Sequence, residues 1–222
     1  MIPKIIHQLW IGPKPPPMHW MDTWKKMNPG WEYMFWNEQS LTEAFPEGLR
    51  NQRQFDAMPE WCGKCDIARV EVLNRFGGFF IDADTICLNP LDDFLLENDS
   101  FSCYENEFAR GQLVACGYLA TSSQNFLMEL MIEQIGRLDI AAIKSKELAS
   151  HWDISQQAWQ LTGNALLTKT IFRNRYTPIT IYPSHYFIPE HYSGVKYKGT
   201  GKSYCTQLWA STAGSKYYNY TD

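Results

Sequence analysis

Residues 5–11 (Ile5-Ile6-His7-Gln8-Leu9-Trp10-Ile11) form an almost unbroken apolar run closed by Gly12-Pro13, the pattern of a buried strand. Pro13-Lys14-Pro15-Pro16-Pro17 then predicts a stiff extended loop. Residues 19–27 have helical spacing and stop at the turn signal Asn28-Pro29-Gly30. Residues 31–36 read as a second strand, with Asn37 at its carboxyl end, and 38–60 as irregular structure or short helices. A helical pattern returns over 64–76 and ends at Gly77-Gly78. Phe79-Phe80-Ile81 is a short buried strand running into Asp82-Ala83-Asp84. Strand, helix and strand in this order predict a parallel α/β sheet. Further strands are expected at 101–104, 114–120, 179–182 and 204–209, helices at 125–138 and 164–174, and a loose tail from Lys216.

The length of 222 residues suits a single domain that folds without disulfides or structural metal. The net charge of −4, with no block of Lys or Arg, argues against nucleic acid as a partner. No apolar run approaches the roughly 20 residues of a membrane-spanning helix. Met1-Ile2-Pro3-Lys4 leads directly into the first strand with no secretion signal, so a cytoplasmic chain with reduced, interior cysteines is expected. Cys62-x-x-Cys65 is half of a zinc pattern, but no second pair at zinc spacing follows. Aromatic residues are in excess at 15%, which suits flat ring-shaped ligands as well as a core.

Asp82-Ala83-Asp84 carries the clearest chemistry. Residues two apart on extended backbone point the same way, so both carboxylates gather past a strand's carboxyl end, where open α/β sheets place ligands. Two like charges that close call for a cation, and oxygen donors suit Mg²⁺ or Mn²⁺. The plainer alternative is a strand-end turn with two solvated acids. Asp66 and Arg69, three apart on the preceding helix, share a face. They are either a weak surface ion pair or a phosphate fork with a sugar-hydroxyl acceptor beside it.

Four motifs stand in one order: Ile2-Pro3-Lys4-Ile5-Ile6-His7-Gln8-Leu9-Trp10-Ile11-Gly12; Pro29-Gly30-Trp31-Glu32-Tyr33 with Trp36-Asn37-Glu38; Lys64-Cys65-Asp66-Ile67-Ala68-Arg69; and Gly77-Gly78-Phe79-Phe80-Ile81-Asp82-Ala83-Asp84. Together they resemble the glycosyltransferase family with the DxD sugar-binding region, whose relatives include fungal initiating mannosyltransferases, capsular polysaccharide transferases and clostridial glucosylating toxins. The strong motifs cover 1–93, and weaker likeness continues through Thr162-Gly163-Asn164 and Gln207-Leu208-Trp209. The resemblance implies a GT-A fold: a mainly parallel, Rossmann-like sheet flanked by helices, in one domain over 1–222. Its donor-binding half would be about 1–93 and its acceptor and C-terminal half about 94–222. It also implies a metal-dependent, usually retaining transferase that uses a nucleotide sugar, UDP-linked by preference. The acceptor would be a glycan, a lipid-linked molecule or a protein.

Carried over residue by residue, Leu9 and Trp10 would bind the donor, with Trp10 stacking on the base and Asn37 lining the nucleoside pocket. Asp66 and Arg69 would contact the donor sugar and diphosphate. Asp82 would touch ribose or metal, and Asp84 would bind the metal. Asp66, Arg69, Asp82 and Asp84 would thus form the catalytic set. Gln207-Leu208-Trp209 stands where family members often carry His-x-Trp, so Gln207 is the candidate third ligand and Trp209 a donor contact.

Two other functions fit parts of the pattern. Phe80-Ile81-Asp82-Ala83-Asp84-Thr85 matches the nucleophile motif of haloacid dehalogenase-type phosphatases, although that motif belongs on a first strand. A sugar-binding module using Trp faces and a cation would need no catalysis. His7 reads as a core histidine. Trp152 and Trp159 read as helix core, and His185, Tyr186, His191 and Tyr192 as a polar loop that could also line an acceptor site.

Overall fold

The computed structural model describes residues 1–149, 157–176, 178–210 and 212. Trp152 and the tail from Lys216 lie outside them. β1 (Ile5–Leu9) sits between β2 (Glu32–Trp36) and β3 (Gly78–Ile81), parallel to both. The six-stranded sheet has the order β2-β1-β3-β6-β5-β7, with β5 at Ser100–Cys103, β6 at Tyr118–Thr121 and β7 at Thr180–Tyr182. β6 runs antiparallel to β3 and β5, while β5 and β7 are parallel. The sheet is therefore parallel in its first half, as expected, and mixed in its second.

A separate antiparallel ribbon joins β4 (Thr85–Cys87) to β8 (Cys205–Gln207). β8 was expected from the sequence as one more strand. Instead it pairs outside the main sheet, with a β4 too short to show a period. The strand expected from 114 starts at Tyr118, because Val114 makes only an isolated bridge to Tyr104.

Alternation along β3 divides the core. Phe79 and Ile81 pack on one face with Trp24 of α1 (Met18–Met27), and Phe80 packs on the other among the helices. That helical face holds α4 (Trp61–Phe76) and α5 (Phe126–Gly136), with α3 (Gln52–Ala57), α6 (Ile140–Ala149), α7 (Ala158–Leu161) and α8 (Asn164–Arg173) beside them. Among the described residues, no helix is long and apolar enough to cross a membrane. All six cysteines are free thiols; Cys62 is exposed rather than interior as expected, because it lies in the first turn of α4.

Gly77 ends α4 at φ +65° and Gly78 starts β3 at φ +100°, both in the left-handed region. A Cβ on Gly78 would lie 2.7 Å from the Ile5 carbonyl oxygen and 2.8 Å from His7 Nε2. His7 is a core histidine, as its place in the strand suggested. Trp36 Nε1 donates to His7 Nδ1 (3.0 Å), so the ring proton sits on Nε2 and is donated to the Gly77 carbonyl (2.7 Å). Burial holds the imidazole down at about 4, against the pull of that carbonyl.

This depressed value makes stability depend on pH. As pH falls from about 6.5 to about 4, the unfolded chain takes up a proton at His7 that the folded chain refuses, so stability is lost across that window. The loss is about 3 kcal/mol. Urea unfolding of the wild type and His7→Gln should show their stability difference shrinking by about that amount over this range. Carboxylates titrating in the same window cancel in the comparison. A pH-independent difference would mean that the buried imidazole charges freely.

Candidate functional site

The helix α4 and the strand β3 run back to back through the Gly77-Gly78 turn. From Arg69 to Gly77 the helix rises about 12 Å. From Gly78 to Asp82 the strand advances about 13 Å. The two lengths match, so Arg69 returns beside Asp82 at the carboxyl end of the sheet. One guanidinium nitrogen of Arg69 bonds Asp82 Oδ1. The other bonds Asp66 Oδ1 (3.1 Å) and Cys116 Sγ (3.0 Å). The guanidinium also lies 5.0 Å from the Phe80 ring centre. Arg69 is only 4% exposed, so the surface-pair alternative fails. Its Nε is buried without a partner, a donor left over in a cluster that is otherwise satisfied.

Asp66 is held by Arg69 and by the Thr162 hydroxyl (3.4 Å). Burial pushes its carboxyl up to about 6, although Arg69 pulls it down. A Cβ on Gly163 would lie 2.6 Å from Asp66 Oδ2, and one on Gly117 would lie 2.3 Å from Asp82 Oδ2. Both glycines thus leave room for a carboxylate. The main chain of Asp82 is fixed as well: its N–H donates to the Gly117 carbonyl (3.0 Å), and its own carbonyl accepts from Thr85 Oγ1 (2.7 Å) and Gln8 Nε2 (3.2 Å).

Asp84 is gripped by the C-terminal segment. Register pairs Thr85 with Gln207, which brings Gln207 Nε2 within 2.8 Å of Asp84 Oδ1. Ala210 N–H donates to Asp84 Oδ2 (2.7 Å) and Leu208 N–H to its carbonyl (2.9 Å). Gln207 Oε1 accepts from the Tyr118 hydroxyl. In this arrangement Gln207 turns its amide N–H, not its oxygen, toward Asp84; a half-turn of the amide would present the oxygen instead. Burial, then the charge on Asp82, push the Asp84 carboxyl up to about 6.

Trp209 has φ +57°, donates Nε1–H to the Glu190 carbonyl (3.1 Å) and lies edge-on to His191 and Tyr192. Trp10 N–H bonds the Trp36 carbonyl (2.9 Å), so Trp10 and Asn37 stand at adjacent strand ends. Trp10 Nε1 donates to the Lys14 carbonyl (2.7 Å). The Asn37 side chain caps α2 (Glu38–Ala44) by accepting from Ser40 N–H. The Leu9 side chain is buried in the core, so its main chain is what remains for a ligand.

Asp66, Arg69 and Asp82 thus form one bonded cluster, and Asp84 and Gln207 a second beside it. Leu9, Trp10 and Asn37 make no direct bond to either among the described residues. Sequence reasoning missed Tyr118, Cys116, Gly117 and Gln8. Of these, only Gln8, a polar residue inside an apolar run, left a signal.

Among the described residues, no group of three or more His, Cys, Asp or Glu side chains gathers to hold an ion. Two carboxylates and one amide are a sparse oxygen set. Mg²⁺-type ions are commonly held by one or two carboxylates plus substrate phosphates, so this set fits a cation completed by a diphosphate.

A mixed α/β sheet with strand-end acids clasped by a C-terminal ribbon is the GT-A glycosyltransferase fold. Residues 17–101 match the family model described as glycosyltransferase sugar-binding region containing DXD motif. Inositol phosphoceramide mannosyltransferase 3 of Schizosaccharomyces pombe is 33% identical over 101 residues, covering 42% of this chain and 27% of that protein. The matched stretch spans between about a quarter and somewhat under half of the first curated relatives. Among solved structures, PaToxG glycosyltransferase superposes with TM-score 0.56 at 15% identity, over 78% of this chain and 70% of that one. The UDP-bound glycosyltransferase domain of the YGT toxin gives 0.54 at 11%, over 81% and 79%. These likenesses show the fold. In this chain the acidic motif follows the third strand, where the phosphatase alternative needed a first.

Because the Arg69 charge is buried between two acids, Arg69→Ala should cost about 3–5 kcal/mol in urea unfolding. Removing the exposed Arg137–Glu133 pair by Arg137→Ala should cost no more than about 0.5 kcal/mol. Equal, small effects would show that Arg69 contributes no more than a surface charge.

Proposed function

We propose that the chain transfers a sugar from a nucleoside diphosphate sugar, UDP-linked by preference, to a hydroxyl acceptor, with a divalent cation. The observation that carries this is the strand-end pair Asp82 and Asp84 beside Arg69, whose Nε is left over, within a DXD sugar-binding region. The UDP bound to the YGT toxin domain, which shares this fold, supports the choice of nucleotide. Retention of configuration is part of the proposal on the strength of the family resemblance.

Asp82 and Asp84 would hold Mn²⁺ or Mg²⁺, with the Gln207 amide oxygen turned inward as a third protein donor. Bound there, the ion supplies positive charge where the leaving diphosphate gains negative charge. Arg69 adds a second positive charge, fixed in place by Asp66 and so needing no rearrangement during transfer. Asp66, largely excluded from water, accepts hydrogen bonds from the donor's sugar hydroxyls. Trp10, at the end of β1, offers its ring to the base. Cys116, Thr162 and Gly163 close the site from behind Arg69 and Asp66.

A panel of nucleotide sugars, screened by thermal shift and by cation-dependent release of the nucleotide, identifies the donor before any acceptor is known. Asp84→Asn should keep the fold and lose Mn²⁺-dependent UDP-sugar hydrolysis by two orders of magnitude or more, on the order of one lost electrostatic catalytic contact. Full activity in the folded variant would remove the metal role of the motif. Trp10→Ala should weaken UDP by roughly 1–3 kcal/mol, the scale of one base-stacking contact, and equally for UDP and UDP-sugar. Unchanged UDP affinity, measured by calorimetry, would leave Trp10 with no part in the donor site.

A further inference from the structure

A cavity of about 270 Å³ is lined by residues 106–108, 184–185, 189 and 195–197 and includes neither Asp82 nor Asp84. One wall is aromatic. His185 and Tyr197 stack in parallel with ring centres 4.0 Å apart and planes 9° apart. Phe108 also lines the cavity and is 89% exposed. The polar part is built rather than loose. Glu107 accepts from the Ser184 N–H (2.8 Å) and from its hydroxyl, and so ties two lining segments together. Lys196 is held by Glu190 at 2.8 Å.

Both lining segments are tethered to the acidic site. Glu190, the partner of Lys196, accepts Trp209 Nε1–H on its carbonyl, and the next residue, Ala210, donates to Asp84. On the other side Glu105, next to Asn106, is buried and bonded by His191 Nε2 (3.2 Å), Arg110 Nε (3.3 Å) and Asn164 Nδ2. Asn164 Oδ1 in turn accepts from Cys116 N–H (2.7 Å), and Cys116 Sγ accepts from Arg69. The cavity is therefore linked by hydrogen bonds to each of the two acid clusters.

We infer that this cavity binds one pyranose ring of the acceptor, which makes the acceptor a saccharide or a sugar-bearing molecule. A pyranose presents a C–H face that suits an aromatic ring and a rim of hydroxyls that suits Lys196 and the polar groups of 106–107. The volume is at the small end for a ligand site, enough for a single ring but not for a nucleotide. This inference rests on the transferase reading and names the acceptor class that reading leaves open.

The test is an amide NMR titration of the labelled chain with methyl hexopyranosides of gluco, manno and galacto configuration in both anomers. At least one should shift the signals of 106–108, 184–185 and 195–197 saturably. Phe108→Ala should weaken that glycoside at least about tenfold, the scale of one lost ring contact. Phe126→Ala, which removes another exposed ring on α5, should leave it unchanged. If no glycoside moves these signals, or if Phe108→Ala binds as tightly as the wild type, the inference is overturned. UDP with Mg²⁺, added to the same wild-type sample, separates the two readings. UDP shifts at 82–84 with a cavity silent to every glycoside overturn the cavity assignment alone, and glycoside shifts in the cavity with 82–84 silent to UDP overturn the transferase reading instead.

Discussion

A single buried guanidinium organises the carboxyl end of this sheet. Arg69 carries a full charge into the interior, where an unpaired ion would be costly, and Asp66 and Asp82 make its burial tolerable by bonding it from two sides. The cost runs the other way too. Asp66 would be an isolated buried carboxylate without Arg69, and its raised titration shows that burial still outweighs the pairing. Helix α4 and strand β3 are therefore joined by charge at one end and by the Gly77-Gly78 turn at the other. The register of the strand against the helix, and hence the position of Asp82, follows from both.

Asp84 depends on a different part of the chain. It is presented by the short β4 and secured by residues more than 120 positions later, through Gln207, Leu208 and Ala210. The ribbon of β4 and β8 is thus a clasp that closes the C-terminal segment over the acidic motif. Tyr118 supports that clasp from the main sheet by holding the Gln207 amide oxygen. On the proposed reading, two carboxylates and an amide would share a cation with the donor's phosphates rather than cage one. The same segment carries Trp209 into contact with the 190–192 turn, so the clasp also bears on the aromatic cavity.

Against the two acids that bond Arg69, the chain is kept small. Glycines at 117 and 163 leave room for carboxylate oxygens that any side chain would displace. His7, neutral and doubly hydrogen-bonded, holds β1 to the helix stop and to Trp36 on β2. Gln8 beside it turns the opposite way and reaches the Asp82 carbonyl, with Tyr33 donating to its own oxygen (2.8 Å). Adjacent residues of one strand thus serve the core on one face and the site on the other.

The sequence alone determined the parallel half of the sheet, the long helix with its glycine stop, and the acidic pair at a strand end. Each is a local signal: an apolar run, a helical period, a residue that tolerates positive φ, two carboxylates at a spacing of two. The order of the four motifs also pointed to the family whose model matches residues 17–101. Tertiary structure decided what those signals could not express. Asp66 and Arg69 still had a surface-pair alternative until the fold buried them against Asp82 and Cys116. The antiparallel course of β6, the pairing of β8 with β4, and the roles of Tyr118 and Gly117 all depend on contacts between distant segments. Such contacts are chosen by the packing of the whole core and leave no period or spacing in the chain, which is why a three-residue strand at 205 could be seen in the sequence but not placed.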